Sequence, residues 1–150
     1  SEYLYRFGHD VSVIAGKTSA DPSFDLPNVI RAGGPDQMLD ACLELASCDQ
    51  AVTPNGWVHA AAVLDYIPNV IDGKKASGSK EWPLVLKSGP KHIDKLSQYT
   101  KDTIRIGFKL ETNVDLETLH QRALAQIQTY GVDATIANIM EQMNDKMFNI

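Results

Sequence analysis

Apolar residues change their spacing along this chain, from short β-branched runs to segments with a period near 3.6. Asp10 to Ala15 is short, apolar and ends at Gly16, which predicts a buried strand. Lys17 to Pro27 carries Pro22, Pro27, Ser and Thr and reads as a loop, and Asn28 to Arg31 as a short strand. Pro35 and Asp36 after Gly33-Gly34 predict a helix start, since proline tolerates the first helical position and a carboxylate suits the positive end of the dipole. That helix is expected to reach about Ser47. A strand follows over Gly56 to Ala62, then a long loop from Ile67 to Lys80. Pro83 to Lys87 predicts a strand and Pro90 to Leu96 a short helix. Thr103 to Lys109 alternates. Asn113 or Asp115 caps a helix to Tyr130 with Leu116, Leu119, Ala123 and Ile127 on its core face, Gly131 ends it, and Val132 to Ala137 is a strand.

Strand and helix in alternation predict one α/β domain of the Rossmann-like, three-layer class, with a mainly parallel sheet. Three apolar runs end in polar residues: Trp57 to Tyr66, Ile104 to Thr112 and Ala134 to Asn138. In such sheets ligands sit outside the carboxyl ends of the strands. These ends are therefore either one ligand crevice or ordinary exits into polar loops. Asp65 can accept hydrogen bonds from a substrate or cap a turn. Phe108 can stack on a base or fill the core, and Asn138 can read a nucleotide or hold a loop. Lys74 and Lys75, in the Gly- and Ser-rich loop, can close over a polyphosphate or stay solvated. Arg122 lies one position off its helix's core face and reads as a surface charge or a phosphate contact, the surface charge being favoured.

Composition narrows the partners. The 150 residues are 43% hydrophobic and 22% charged, with formal net charge -5. An acidic chain with scattered cations argues against non-specific binding to nucleic acid or an anionic membrane. No apolar run approaches the roughly 20 residues that span a bilayer. Cys42 and Cys48 have neither zinc-ligand nor CxxC spacing, and the four histidines are dispersed, so no protein-built metal site is expected. Cys42 falls on the apolar face of its helix as a buried thiol. The composition suits the reducing cytoplasm.

Ala60-Ala61-Ala62-Val63-Leu64-Asp65-Tyr66, a lysine loop, Pro-Leu-Val-Leu-Lys, Gly-Phe-Lys-Leu-Glu-Thr and Ile-Ala-Asn follow in that order. With Val11 to Gly16 and the helix start at Gly34 to Leu39, this order resembles phosphopantothenoylcysteine synthetase, also called the DNA/pantothenate metabolism flavoprotein domain. The resemblance runs from about Gly8 to about Met147. It implies a coenzyme A biosynthesis ligase that joins 4′-phosphopantothenate to cysteine through an acyl-nucleotide. The co-substrate would be CTP or ATP, with Mg²⁺.

By the same resemblance Ala61, Ala62 and Asp65 contact the phosphopantothenate or the intermediate. His59, Ala60, Pro90, Lys91, His92, Ile93, Phe108 and Asn138 line the nucleotide, and Lys74 stabilises charge in nucleotidyl transfer. A homodimer is implied, with association to a phosphopantothenoylcysteine decarboxylase as an option. The family's glycine-rich loop is not found in these residues, so the chain is expected to be a fragment. Helices in CTP-using members carry two lysines before the Ile-Ala-Asn strand, where this sequence has Arg122 and neutral residues such as Gln126. Two alternatives stand beside the ligase: a non-catalytic or incomplete nucleotide-binding module, and the dinucleotide-binding domain of an oxidoreductase, although no GxGxxG occurs.

Overall fold

The computed structural model describes residues 1–17, 22–47, 53–69, 73, 77–78 and 81–143. A short helix α1 (Glu2–Arg6) leads to strand β1 (Ser12–Ala15), strand β2 (Asn28–Arg31) and helix α2 (Pro35–Ser47). Strands β3 (Gly56–His59), β4 (Tyr66–Pro68) and β5 (Leu86–Ser88) precede helix α3 (His92–Lys95). Strand β6 (Ile104–Glu111), helix α4 (Leu116–Tyr130), strand β7 (Ala134–Ile139) and a 3₁₀ turn (Met140–Gln142) complete the order.

The parallel strands form two sets among the described residues. β1 pairs with β2, and β6 lies between β3 and β7. β6 is the longest strand because Ile104, Ile106, Phe108 and Leu110 alternate with Arg105, Gly107, Lys109 and Glu111. The second series faces α4. There Leu119 and Ala123 of the helix pack with Ala137 and Ile139 of β7, and Val114 closes the cluster. The first series shares its face with Val58, Ile136 and Asn138, and Val58, Ile104 and Leu110 there are at least half exposed.

Local chemistry fixes α4 at both ends. The Asp115 carboxylate accepts from the Thr118 backbone N–H at 2.8 Å, and Gly131 closes the helix at φ 63, a left-handed conformation that glycine adopts without a Cβ clash. α1 is tied to the following loop. The Glu2 carboxylate accepts from the Ser23 N–H and hydroxyl, and the Arg6 guanidinium lies 5.1 Å from the Phe24 ring centroid.

Arg105 joins three elements. Its side chain is buried and donates to the Tyr130 carbonyl at 2.7 Å, to Gly131 at 3.3 Å and to the Ile93 carbonyl at 2.7 Å. A cation at the negative end of α4 satisfies carbonyls that have no partner within the helix.

The structure departs from the sequence reading in the middle of the chain. The strand expected over Gly56 to Ala62 stops at His59, and Ala60, Ala61 and Ala62 are exposed. Alanine is a poor strand former, so the run leaves the sheet where the flanking β-branched residues end. Part of the expected loop from Ile67 is instead strand: β4 pairs antiparallel with β5, Ile67 opposite Lys87. The strand expected over Pro83 to Lys87 begins only at Leu86, since proline has no N–H to give a ladder.

Candidate functional site

The last β3–β6 pair is His59 with Gly107, whereas β6 continues beside β7 to the pair Glu111 with Ile139. The backbone edge of Phe108 to Glu111 that β3 would have covered therefore has no strand partner among the described residues. This makes a notch at the carboxyl edge of the sheet. The chain leaving β3 is tied instead to the segment before α3. The Gly89 N–H donates to the Asp65 carbonyl at 2.8 Å, and a Cβ on Gly89 would lie 2.7 Å from the Leu64 carbonyl. Only glycine allows this approach.

Asp65 receives a hydrogen bond from the Lys91 ammonium at 2.5 Å, both side chains being more than half exposed. That bond holds the Asp65 carboxyl below its ordinary range, with the Lys91 and Lys109 charges adding to the effect. It raises the Lys91 ammonium in turn. Glu111, with a side chain only 13% exposed, takes Lys109 on Oε1 at 3.1 Å and Arg122 of α4 on Oε2. Burial pushes the Glu111 carboxyl up, but hydrogen bonds from Lys109 and Arg122 outweigh it and hold it low. The charges thus form two groups, Lys91–Asp65 and Lys109–Glu111–Arg122, and the Lys109 charge is felt at Asp65.

Phe108 and Asn138 share the other face of the sheet, on adjacent strands. Phe108 stands opposite Ile136, and Leu110 opposite Asn138. Phe108 is 37% exposed and Asn138 is buried. The Gln126 amide donates to the Phe108 carbonyl at 3.4 Å.

His59 and His92 belong to the interior. Burial first, then the charges of Arg105 and His92, push the His59 imidazole down to about 4, so it is neutral at pH 7. Burial also lowers His92, against a hydrogen bond to the Pro35 carbonyl and the Asp36 charge. Both imidazoles leave Nε2 without a partner among the described residues.

Of the residues singled out in the sequence, Asp65 and Lys91 meet directly. Ala60, Ala61 and Ala62 follow β3 as exposed chain, and Pro90 and Ile93 bracket the start of α3. Lys74, Lys75 and Cys48 lie outside the described residues. Cys42 is partly buried, with its thiol pushed up to about 11 by burial. Lys109 and Glu111 were not singled out individually. Their signal was present in the two-residue spacing, which puts both on the α4 face at the end of the longest strand.

A mainly parallel α/β sheet with helices packed on it places the domain in the Rossmann-like class. The chain belongs to the DNA/pantothenate metabolism flavoprotein C-terminal domain family, which it matches over residues 1–149. It is 33% identical over 102 residues to "Coenzyme A biosynthesis bifunctional protein CoaBC" of Methanocaldococcus jannaschii, covering 68% of this chain and 24% of that one. The protein of the same description from Thermococcus kodakarensis is 36% identical over 138 residues, covering 89% and 32%. The chain spans between a quarter and a third of these curated relatives.

Among solved structures, the DNA/pantothenate metabolism flavoprotein from Streptococcus pneumoniae superposes with TM-score 0.84 at 22% identity, covering 98% of this chain and 72% of that one. The C-terminal domain of a coenzyme A biosynthesis bifunctional protein CoaBC gives 0.70 at 17%, covering 91% and 60%. These two likenesses bear on the fold.

Proposed function

We propose that this domain serves coenzyme A biosynthesis as a phosphopantothenate–cysteine ligase. The observation that carries the reading is the family match along nearly the whole chain, combined with a carboxyl-edge notch rich in paired cations. In the proposed reaction the 4′-phosphopantothenate carboxylate attacks the α-phosphorus of CTP or ATP, and pyrophosphate leaves. The amine of cysteine then attacks the acyl carbon, and the nucleoside monophosphate departs.

Such a step needs cations held in place before charge develops on the phosphates. Lys91, paired with Asp65, meets that need, and Lys74 is proposed to add a second ammonium. Asp65 is proposed to orient phosphopantothenate together with Ala61 and Ala62. His59, Ala60, Pro90, His92 and Ile93 are proposed to shape the nucleotide side, with Phe108 and Asn138 at base and ribose. The partly buried imidazole of His59 and the buried one of His92 suit packing behind that wall better than direct contact.

No group of three or more His, Cys, Asp or Glu among the described residues can hold a metal ion. Asp65 and Glu111 are each already neutralised by cations. Mg²⁺ is proposed as a companion of the triphosphate, coordinated by phosphate and water. A homodimer in the cytoplasm, with a phosphopantothenoylcysteine decarboxylase fused or associated, completes the proposal. The described residues include no helix long and apolar enough to cross a membrane.

The test is pyrophosphate release by the full-length protein with 4′-phosphopantothenate and cysteine, comparing CTP with ATP. Release that needs 4′-phosphopantothenate and a nucleotide, with repeated turnover that also needs cysteine, is expected, and Lys74→Ala should abolish it while leaving the fold intact. No release with either nucleotide would refute the ligase.

A further inference from the structure

We propose that Lys109 is a phosphate-contacting residue of this site, presented to the notch by Glu111. The inference rests on the ligase reading and extends it to a residue that reading does not use. The Glu111 carboxylate has two oxygens, and each holds a different cation: Oε1 faces Lys109 at 3.1 Å and Oε2 faces Arg122. One negative charge thus serves two positive ones. Asp65 is matched one to one by Lys91. Together the two groups carry three cations and two carboxylates, and the surplus positive charge lies on the Lys109–Glu111–Arg122 group.

Position adds to the charge count. Lys109 is two residues past Gly107, the last β6 residue paired with β3, so it stands on the stretch of β6 edge that β3 leaves open. Its side chain is 36% exposed, against 13% for Glu111. An ammonium has three N–H donors, and the Glu111 carboxylate occupies one. An ordinary exposed ion pair neutralises itself. This arrangement instead holds a cation in a fixed place while leaving donors and net charge for an incoming anion. The phosphate group can come from the nucleotide or from phosphopantothenate.

The experiment compares wild type, Lys109→Ala and Lys109→Arg in the full-length protein. It measures KM and kcat for each substrate by pyrophosphate release, and binding of inorganic tripolyphosphate by calorimetry. We expect Lys109→Ala to raise KM for one phosphate-bearing substrate by roughly tenfold or more, with a smaller change in kcat. Tripolyphosphate binding should weaken in parallel, Lys109→Arg should recover most of the loss, and the cysteine KM should stay unchanged. Whether the KM for nucleotide or for phosphopantothenate moves identifies the source of the phosphate. KM values and tripolyphosphate binding all within about twofold of wild type overturn the assignment. If the wild type releases no pyrophosphate, the ligase reading fails by itself. Tripolyphosphate then decides for Lys109, and binding that is absent or unaffected by Lys109→Ala overturns it.

Discussion

The Lys91 ammonium reaches across 26 residues of chain to donate to the Asp65 carboxylate at 2.5 Å. This bond ties the segment leaving β3 to the start of α3 at the open carboxyl edge. Both partners are more than half exposed, so the pair contributes little to stability. Its value lies in holding two opposite charges at a defined place. Asp65→Asn should lower kcat/KM for phosphopantothenate by roughly tenfold, about 1.4 kcal/mol of transition-state stabilisation, with the unfolding midpoint nearly unchanged. A steady-state titration beside a urea melt checks both halves.

Gly89 governs the same segment through the backbone. Its N–H holds the Asp65 carbonyl at 2.8 Å, and an added Cβ would meet the Leu64 carbonyl at 2.7 Å and the Ile67 side chain at 3.1 Å. A backbone carbonyl cannot yield as a side-chain end can. Gly89→Ala should therefore cost about 1–3 kcal/mol of stability. It should also weaken turnover by displacing Asp65. Gly107→Ala is the control, because its closest neighbours are the side chains of Gln126 and Thr135 at 3.3 and 3.4 Å. That variant should be milder in both measurements.

Arg105 is the residue whose loss the fold should feel most. Its guanidinium serves three carbonyls, of Tyr130, Gly131 and Ile93. Arg105→Met keeps the length and removes every donor. The stranded carbonyls should cost about 3 kcal/mol, read from the shift in urea midpoint at constant m-value.

His59 predicts a specific acid sensitivity. Its folded value of about 4 lies below the ordinary 6.5, so between these limits the unfolded chain binds the proton more readily. Stability should be full above pH 6.5 and fall as the pH drops toward 4. The loss should be on the order of 2 kcal/mol once partial exposure is allowed for. Asp65 and Glu111 are held low, so their own stability contributions are lost at more acid pH. His59→Gln should flatten the pH 4 to 6.5 segment of a denaturation series and leave the steeper acid limb in place.

Local sequence was sufficient wherever local chemistry decides structure. Asp115 and Gly131 bound α4 as the cap and stop signals required, and Pro35 opens α2. The alternation from Ile104 and the apolar run at Ala134 became the adjacent parallel strands β6 and β7. The pairing of Tyr66 to Pro68 with Leu86 to Ser88 was not legible, because three-residue strands carry too short a pattern and their partner is set by contacts far apart in sequence. The burial of His92 and Arg105 was equally hidden. A polar side chain is buried only when acceptors converge on it, and those acceptors lie on other elements.

The sequence by itself determined the family, the order of strands and helices apart from β4, and the types of residue available for chemistry at the strand ends. Those depend on motif order, hydrophobic period and capping, all of which are local. Tertiary structure alone decided that Lys91 finds Asp65 and that Glu111 serves both Lys109 and Arg122. Each of these is an encounter between segments distant along the chain, and its geometry follows from how the sheet and α4 pack.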